Sequence, residues 1–349
     1  MKVKWLIALF FVFVLGLGWS LAWAQTVKIT PLGAAGGEFC AGDRALLFED
    51  PTGVRVLIAP GRTVNGSADP RLPDPTGSSG GVHVLLVDHP HVDHWGDFFH
   101  TNCGGTSSTG FAFPSEGNVP EIAAVHNSAV LVGGELPDFS TKKISNVAAA
   151  LGTPPPVNCP AAGLDNTFTV PRTSPCVGVI RGGTRTAVFE GENQGVKITT
   201  IPAFHAAGAS RMHIDEPNVP EGLTGYAGHE TGYILRFTNG LTVLWTGDSG
   251  LLGDWATQSR FYRPNLAVVH MGDLFTMGPD EAAFAVNELI RPRSVIPEHA
   301  NQVSTTGGAV NPGTRVERFI NLVRRIRVHV PLSGATMEFD GSGTCVAGC

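Results

Sequence analysis

Charged side chains are scarce in this sequence. Only 15% of the 349 residues are Asp, Glu, Lys or Arg, whereas 42% are hydrophobic. A chain that is disordered throughout needs the opposite balance, so we expect a substantial buried core. The formal net charge is −6, which leaves no basic footprint for nucleic acid. The sequence also lacks a short repeating unit, so its 44 glycines and 25 prolines indicate many loops rather than low complexity.

Long apolar runs are missing except near the N-terminus. Two lysines precede an almost unbroken apolar run from Trp5 to Leu17, and residues 22–24 match the small-x-small pattern before a signal-peptidase cut. We therefore expect residues 1–24 to be a signal peptide and the mature protein, beginning at Gln25, to be periplasmic or secreted. An uncleaved membrane anchor is the alternative, which the shortness of the run disfavours.

Cysteine is present in an even number, which in an exported protein favours disulfide bonds. Six cysteines allow fifteen sets of pairs, and the sequence does not choose among them. Short loops make Cys159 with Cys176, and Cys345 with Cys349, the simplest guesses, while buried free thiols are the alternative. No second close pair accompanies Cys345 and Cys349, so a structural zinc knuckle is not expected. The six residues are Cys40, Cys103, Cys159, Cys176, Cys345 and Cys349.

Short apolar segments between turn signals predict a strand-rich chain with helices appended. Predicted helices cover Thr141–Leu151, Pro279–Ile290 and Pro312–Arg325, with Pro279 and Pro312 in first helical turns. This pattern predicts an α/β fold with two sheets between helical layers, a four-layer αββα sandwich over residues 25–349. We interpret the polar stretch of about 101–184 as an elaborated insertion and not as a separate domain. The predicted strands are Val27–Thr30, Ala45–Glu49, Val54–Ala59, Val82–Val87, Thr186–Phe189, Val196–Ile201, Tyr233–Phe237, Leu241–Thr246, Leu266–His270 and Ser294–Pro297.

The strongest functional signal follows the strand predicted at Val82–Val87, which we expect to be buried on both faces. The next seven residues, 88–94, read Asp-His-Pro-His-Val-Asp-His. A single histidine is more often structural or exposed, but so many imidazoles and carboxylates at one strand end cannot all be satisfied as core groups. Borderline metals such as Zn²⁺ prefer nitrogen and oxygen ligands of this kind. The motif therefore predicts a metal site.

The motif resembles the metal-binding signature of the metallo-β-lactamase superfamily, and the resemblance extends over nearly the whole mature chain. The run from Phe275 to Pro279 is similar to the branch that contains the ascorbate-phosphate lactonase and the N-acyl phosphatidylethanolamine phospholipase D. Later residues sit where the superfamily has its remaining ligands. The matching ligand positions are His89, His91, Asp93, His94, His205, Asp248 and His299.

This resemblance implies a binuclear site. One divalent ion would be held by His89, His91 and His205, and the second by Asp93, His94 and His299, with Asp248 bridging the two. Zinc is the expected metal, with manganese or iron as alternatives. Such a pair of ions would give a hydroxide nucleophile, which makes Asp93 and Asp248 the expected catalytic carboxylates.

Three features depart from the superfamily pattern. Asp88 stands where relatives commonly have Thr or Ser. Ala59 stands where relatives often carry an Asp that supports the ligands from outside the coordination sphere. The segment between His94 and His205 is long, which weakens any transfer of substrate identity.

Other polar residues have weaker signals. His229 and His213 are candidates for binding substrate or protonating a leaving group. His270 and Asp273 are candidates for hydrogen-bonding the ligand imidazoles. His100, like other histidines without a partner pattern, is interpreted as structural or exposed.

Taken as an expectation, the chain is an exported metal-dependent hydrolase of a lactone, a phosphoester or an amide. Its partner would be a small-molecule substrate, with no nucleic acid and no membrane span after signal cleavage. A true β-lactamase is the first alternative. A non-catalytic metal-binding module on the same fold is the second, because a fold alone does not determine activity.

Overall fold

The structure is a computed structural model that describes residues 25–96, 98–100, 102–105, 108–110, 118–210 and 224–349. The predicted signal peptide and His213 lie outside these residues. Within the described ranges, every helix is too short or too polar to span a membrane.

Short strands dominate the described residues, and we number them in chain order. They are β1 Val27–Pro31, β2 Leu46–Glu49, β3 Arg55–Ile58, β4 Val84–Val87, β5 Phe98–His100, β6 Ser108–Gly110, β7 Ala129–Val132, β8 Val157–Asn158, β9 Thr167–Val170, β10 Cys176–Val179, β11 Thr184–Phe189, β12 Gly195–Pro202, β13 Gly208–Ser210, β14 Thr224–Tyr226, β15 Thr231–Arg236, β16 Thr242–Trp245, β17 Leu266–His270, β18 Ser294–Glu298, β19 Thr305–Thr306, β20 Ala309–Val310, β21 Arg327–Val328, β22 Met337–Phe339 and β23 Cys345–Ala347.

The helices are fewer and are numbered in the same way. A 3₁₀ turn covers Gly66–Ala68, and a π-helix at Ala285–Ile290 continues α5. The α-helices are α1 Val92–Trp95, α2 Asn118–His126, α3 Leu136–Leu151, α4 Asp254–Tyr262, α5 Pro279–Phe284 and α6 Arg315–Leu322.

Two large sheets form the centre of the molecule. The first has the strand order β23-β22-β1-β2-β3-β4-β7-β10-β8, and the second has the order β21-β18-β17-β16-β15-β12-β11-β9. Apolar side chains from both sheets, including Phe48, Tyr233 and Trp245, pack together between them. Full burial of one such side chain stabilises the fold by about 1.5–3 kcal/mol.

Helices cover the outer faces of both sheets. Leu85 of the first sheet packs with Ile122 of α2 and Ile144 of α3. Leu244 of the second sheet packs with Trp255 of α4 and, in the same cluster, with α5 and α6. The predicted four-layer αββα sandwich is therefore confirmed.

Strand β4 shows why its sequence is apolar without alternation. Val84 and Leu86 face the core between the sheets, whereas Leu85 and Val87 face the outer helices. All four side chains are fully buried, which confirms the predicted burial on both faces.

Two helices begin at residues other than the predicted ones. Helix α3 begins at Leu136, five residues before the predicted start at Thr141. Helix α6 begins at Arg315, because the Thr314 side chain accepts a hydrogen bond from the backbone N–H of Glu317 and caps the helix there. Placing Pro312 in the first turn of α6 was therefore wrong, while Pro279 does lie in the first turn of α5.

The described part of the stretch 101–184 extends both sheets. Strand β7 pairs in parallel with β4 and with β10, and β10 pairs with β8. Strand β9 pairs in parallel with β11 in the second sheet. Residues from about 118 onwards in this stretch therefore share the two main cores of the sandwich.

All six cysteines are paired in disulfide bonds. The two short-loop pairs predicted from spacing, Cys159–Cys176 and Cys345–Cys349, are confirmed. The third bond, Cys40–Cys103, closes a separation of 63 residues. It connects the loop before β2 to the segment after β5.

Candidate metal centre

One edge of the sandwich collects the predicted ligands. Strands β12, β16, β17 and β18 run in the same direction, so their carboxyl ends meet at this edge. His205, Asp248 and His299 each follow the end of one of these strands by at most three residues. The motif of residues 88–94 reaches the same edge from β4 and continues into α1. The fold thus places residues that are more than 200 positions apart around one point.

Three imidazoles form the first cluster. The ring centroid of His89 lies 4.4 Å from that of His91 and 4.8 Å from that of His205. Nε2 of His205 is 3.3 Å from Nδ1 of His91. One nitrogen of each ring can therefore serve a single ion. We call this group the triad.

Four residues form the second cluster, which we call the tetrad. Oδ2 of Asp248 lies 3.3 Å from Nε2 of His94 and 3.2 Å from Nε2 of His299. Oδ2 of Asp93 lies 3.8 Å from Nε2 of His94. Ligands held tetrahedrally at the usual zinc distances are about 3.3 Å apart, so these separations fit one ion.

Asp248 stands between the two clusters. Its Oδ2 atom is also 3.9 Å from Nε2 of His89 and 3.7 Å from Nε2 of His205. The same oxygen therefore faces imidazoles of the triad and of the tetrad. Burial alone would raise the pKa of Asp248, but the adjacent His299 and His94 lower it well below the usual range. The carboxylate is ionised and can bind cations on either side.

The buried imidazoles fit a metal. Both ring nitrogens of His89 and of His94 are buried and make no hydrogen bond within the described residues. An unpaired buried nitrogen is costly, and an ion at each cluster would pair the Nε2 atom of the ring that belongs to it. Burial, together with His89 and His205 nearby, lowers the pKa of His91 to about 4. Its ring is therefore neutral near pH 7 and keeps a lone pair for a cation.

Asp88 lies beneath both clusters and is 2% exposed. Its Oδ2 is 3.0 Å from Nδ1 of His89, and its Oδ1 is 2.8 Å from Nδ1 of His94. The backbone N–H of Asp248 also donates to Oδ2 at 3.3 Å. Burial would raise the pKa of Asp88, but the neighbouring His94 and His89 hold it far below its usual value.

His270 has a different partner from the one predicted. Its Nδ1 lies 2.7 Å from Oδ1 of Asp248, and its Nε2 lies 3.3 Å from Oε2 of Glu298. His270 therefore supports the carboxylate between the clusters and not a ligand imidazole. The other predicted support, Asp273, accepts a hydrogen bond from the backbone N–H of Leu274.

Arg44 is a site residue that the sequence pattern does not reveal. Its Nη2 atom lies 3.2 Å from Oδ2 of Asp93 and 3.0 Å from Nε2 of His299, and its side chain is buried. Burial would raise the pKa of Asp93, but the Arg44 charge is the main influence that lowers it. A fixed cation thus stands at the edge of the tetrad.

A cavity of about 550 Å³ opens onto the tetrad. His100, for which the sequence predicts a structural or exposed position, lines this cavity together with Arg62 and Phe275. Gly42 and Gly105 lie against the His100 ring, since a Cβ atom on either would come within 3.0 Å of Nδ1. The Cys40–Cys103 bond ties together the two chain segments that carry these glycines.

Removing this disulfide should therefore affect both stability and the pocket. We expect a Cys40→Ser, Cys103→Ser variant to lose about 2–4 kcal/mol of unfolding free energy. Because the pocket wall is no longer tied, KM for any confirmed substrate should rise. The measurements are denaturant unfolding and steady-state kinetics.

The matched control is a Cys159→Ser, Cys176→Ser variant. That bond joins the β8 and β10 region, away from the cavity. This variant should lose stability and keep its KM. Equal changes in KM for both variants would contradict a special role for Cys40–Cys103 in the pocket.

His229 lies in a different place from the metal cavity. It is exposed and lines a separate depression with Arg181 and Tyr226. Its neighbour Glu230 is the residue that reaches the site, because its Oε1 accepts a hydrogen bond of 2.6 Å from the backbone N–H of His205. The structure thus does not bring His229 together with the metal cluster.

The protein has a four-layer αββα sandwich with His and Asp residues clustered at one edge. This combination is typical of metal-dependent hydrolases with a metallo-β-lactamase fold. A family model described as the Beta-lactamase superfamily domain matches residues 40–299. The chain belongs to this superfamily, as the sequence motif predicted.

Relatives and solved structures agree with this assignment. The chain is 28% identical over 258 residues to a UPF0173 metal-dependent hydrolase of Cupriavidus necator, an alignment that covers 74% of this chain and 71% of the relative. It is 30% identical over 261 residues to a UPF0173 metal-dependent hydrolase of Cupriavidus taiwanensis, covering 74% and 72%. A metallo-hydrolase of the archaeon Ignicoccus hospitalis has a similar fold, with a TM-score of 0.52, 20% identity and coverage of 90% and 99%. The protein is therefore a metal-dependent hydrolase.

Proposed function

We propose that this protein is an exported binuclear hydrolase that acts on a small lactone, phosphoester or amide. The carrying observation is the position of Asp248, whose Oδ2 lies 3.2–3.9 Å from Nε2 atoms in both clusters. A carboxylate in that place offsets the repulsion between two cations and sets their spacing. The triad and the tetrad would each hold one divalent ion, zinc in the first instance and manganese or iron as alternatives.

The chemistry that such a pair of ions supplies is acidification of a water molecule near neutral pH and polarisation of the bond under attack. The residues of the chain prepare this chemistry. Asp248 and Asp93 provide negative charge at the point where the cavity ends. Asp248 is held in turn by His270, which contacts Glu298 on its other side.

Arg44 distinguishes the two clusters. A cation in the tetrad has to share Asp93 and His299 with the Arg44 guanidinium, so we infer that the tetrad binds its ion more weakly than the triad. The same positive charge faces the cavity. There it can attract the oxygen atoms of a substrate that carries partial or full negative charge.

The size of the cavity supports a small-molecule substrate, and the net charge of −6 gives no support for a nucleic acid. Export is supported by the signal-peptidase pattern at residues 22–24 and by the paired cysteines.

Metal content is the first test of this proposal. Protein purified without chelator should contain about two equivalents of transition metal, and removal of the metal should abolish hydrolysis. Elemental analysis measures the first quantity. Restored activity after adding back zinc, manganese or iron identifies the effective metal. If protein that has been supplied with excess metal retains almost none of it, the proposal is overturned.

A substrate screen separates the candidate activities. Lactones, phosphodiesters, phosphomonoesters and amides should be compared with a chromogenic cephalosporin under the same conditions. We expect turnover in the first group. Turnover of the cephalosporin alone would favour a true β-lactamase, and two bound ions without any turnover would favour a non-catalytic metal-binding module.

A further inference from the structure

One buried carboxylate, which does not line the cavity, contacts residues of both clusters. Asp88 lies 3.0 Å from Nδ1 of His89 and 2.8 Å from Nδ1 of His94. His89 belongs to the triad and His94 to the tetrad. The Nε2 atoms of the same two rings face Asp248 on the other side. Each ring is therefore placed between the carboxylate of Asp88 and that of Asp248.

Neighbouring strands explain why this role falls to position 88. Strands β3 and β4 pair in parallel, with Ile58 opposite Leu86, so Ala59 and Asp88 both lie just beyond adjacent strand ends. Alanine at position 59 has no carboxylate to offer. Asp88, which follows the adjacent strand β4, provides one.

We propose that Asp88 is the positioning residue of the metal centre and that its single carboxylate couples the two clusters. An oxygen of Asp88 lies within 3.0 Å of Nδ1 of each ring, so a proton on Nδ1 would face this carboxylate. That placement of the proton favours the tautomer whose Nε2 lone pair is free for an ion. The proposal rests on the proposed binuclear function. It adds that one residue outside the ligand set determines occupancy of both clusters.

Asp88→Asn is the variant that tests this idea. The amide has nearly the same shape, but it can accept only through its oxygen, and its nitrogen donates. It therefore suits the Nδ1–H of only one ring at a time. Because the amide can turn its oxygen to either ring, neither ring keeps a permanent acceptor as it does in the native protein. We expect the affinities for the first and the second zinc ion both to fall by about 10–100-fold.

Asp50→Asn is the matched control. Asp50 is also 2% exposed and accepts hydrogen bonds from Thr52 and Thr238. It follows β2, which runs antiparallel to β3, so it lies at the opposite edge of the sheet from the metal site. This variant should lose stability and keep both zinc affinities. The measurement is a zinc titration against a competing chelator for the wild type and both variants.

A second readout does not require metal. Nitrogen-15 correlation spectra of the metal-free wild type should show a proton on Nδ1 of His89 and of His94, whatever the state of Nε2, and Asp88→Asn should change the Nδ1 signals of both rings. Wild-type protein that shows these Nδ1 protons but binds only one ion would overturn the binuclear function and leave the positioning role intact. An Asp88→Asn variant with native Nδ1 signals, or with a loss confined to one zinc ion, would overturn the coupling role of Asp88.

Discussion

Replacing Asp248 by asparagine should lower kcat by about a hundredfold or more, which corresponds to ~2.7 kcal/mol of transition-state stabilisation. The same variant should bind less than two equivalents of metal. The reason is electrostatic. Oδ2 of Asp248 lies within 4 Å of Nε2 atoms from both clusters. A neutral amide keeps the shape but no longer offsets the repulsion between two cations, so the weaker cluster should empty first.

A purely structural role for Asp248 predicts a different result. Helix α4 begins only at Asp254, so Asp248 is not a helix cap. If the residue only filled a turn, Asp248→Asn would reduce stability by about 1 kcal/mol and leave the metal content unchanged. Elemental analysis, thermal unfolding and kinetics on any confirmed substrate separate the two roles. A variant with two bound ions and full activity would show that Asp248 does not bridge.

Four of the predicted ligands could be found from the sequence because they follow one another directly after the end of a single strand. The motif 88–94 is a local pattern that follows an apolar run, and its chemistry can be read without a fold. His205, Asp248 and His299 carry no such local pattern. They were found only through their resemblance to the superfamily, and the parallel strands explain why they meet the motif in space.

Residues that support the ligands could not be found in this way. Arg44 lies 49 positions before Asp93 and belongs to no motif, yet the loop before β2 brings it within 3.2 Å. His270 was expected near the site, but its partner is a carboxylate, because β17 lies beside β16 and faces the turn that carries Asp248. The positions of residues relative to strand ends predict which side chains come together at one edge of the sheets. They do not predict which of these side chains form hydrogen bonds or ion pairs with one another.

The strands within the stretch 101–184 could not be predicted from its composition. Its glycine, serine and proline content indicates loops, and these residues do separate the elements. However, the short run Ala129–Val132 is fully buried and pairs with β4 on one side and β10 on the other. A strand of four residues is too short to stand out against a polar background, and the sheet on both sides of it provides most of its stabilisation.

Two histidine variants should divide the metal centre into its halves. His205 contributes to the triad and His299 to the tetrad. We therefore expect His205→Ala and His299→Ala each to retain about one equivalent of metal. Because a single ion cannot act on both sides of the reacting bond, each variant should lose about a hundredfold or more in kcat.

The remaining ion should differ between the two variants in affinity. In His299→Ala the ion stays in the triad, whereas the contacts of Arg44 are with Asp93 and His299 of the tetrad. In His205→Ala it stays in the tetrad, where Arg44 still lies 3.2 Å from Asp93 and competes for that carboxylate. The ion in His205→Ala should therefore be lost at a lower chelator concentration. His229→Ala is the control, since this exposed residue lines a separate depression, and it should keep both ions and full activity. If either ligand variant kept two ions, or if both lost all metal together, the division of the seven ligands between two clusters would be wrong.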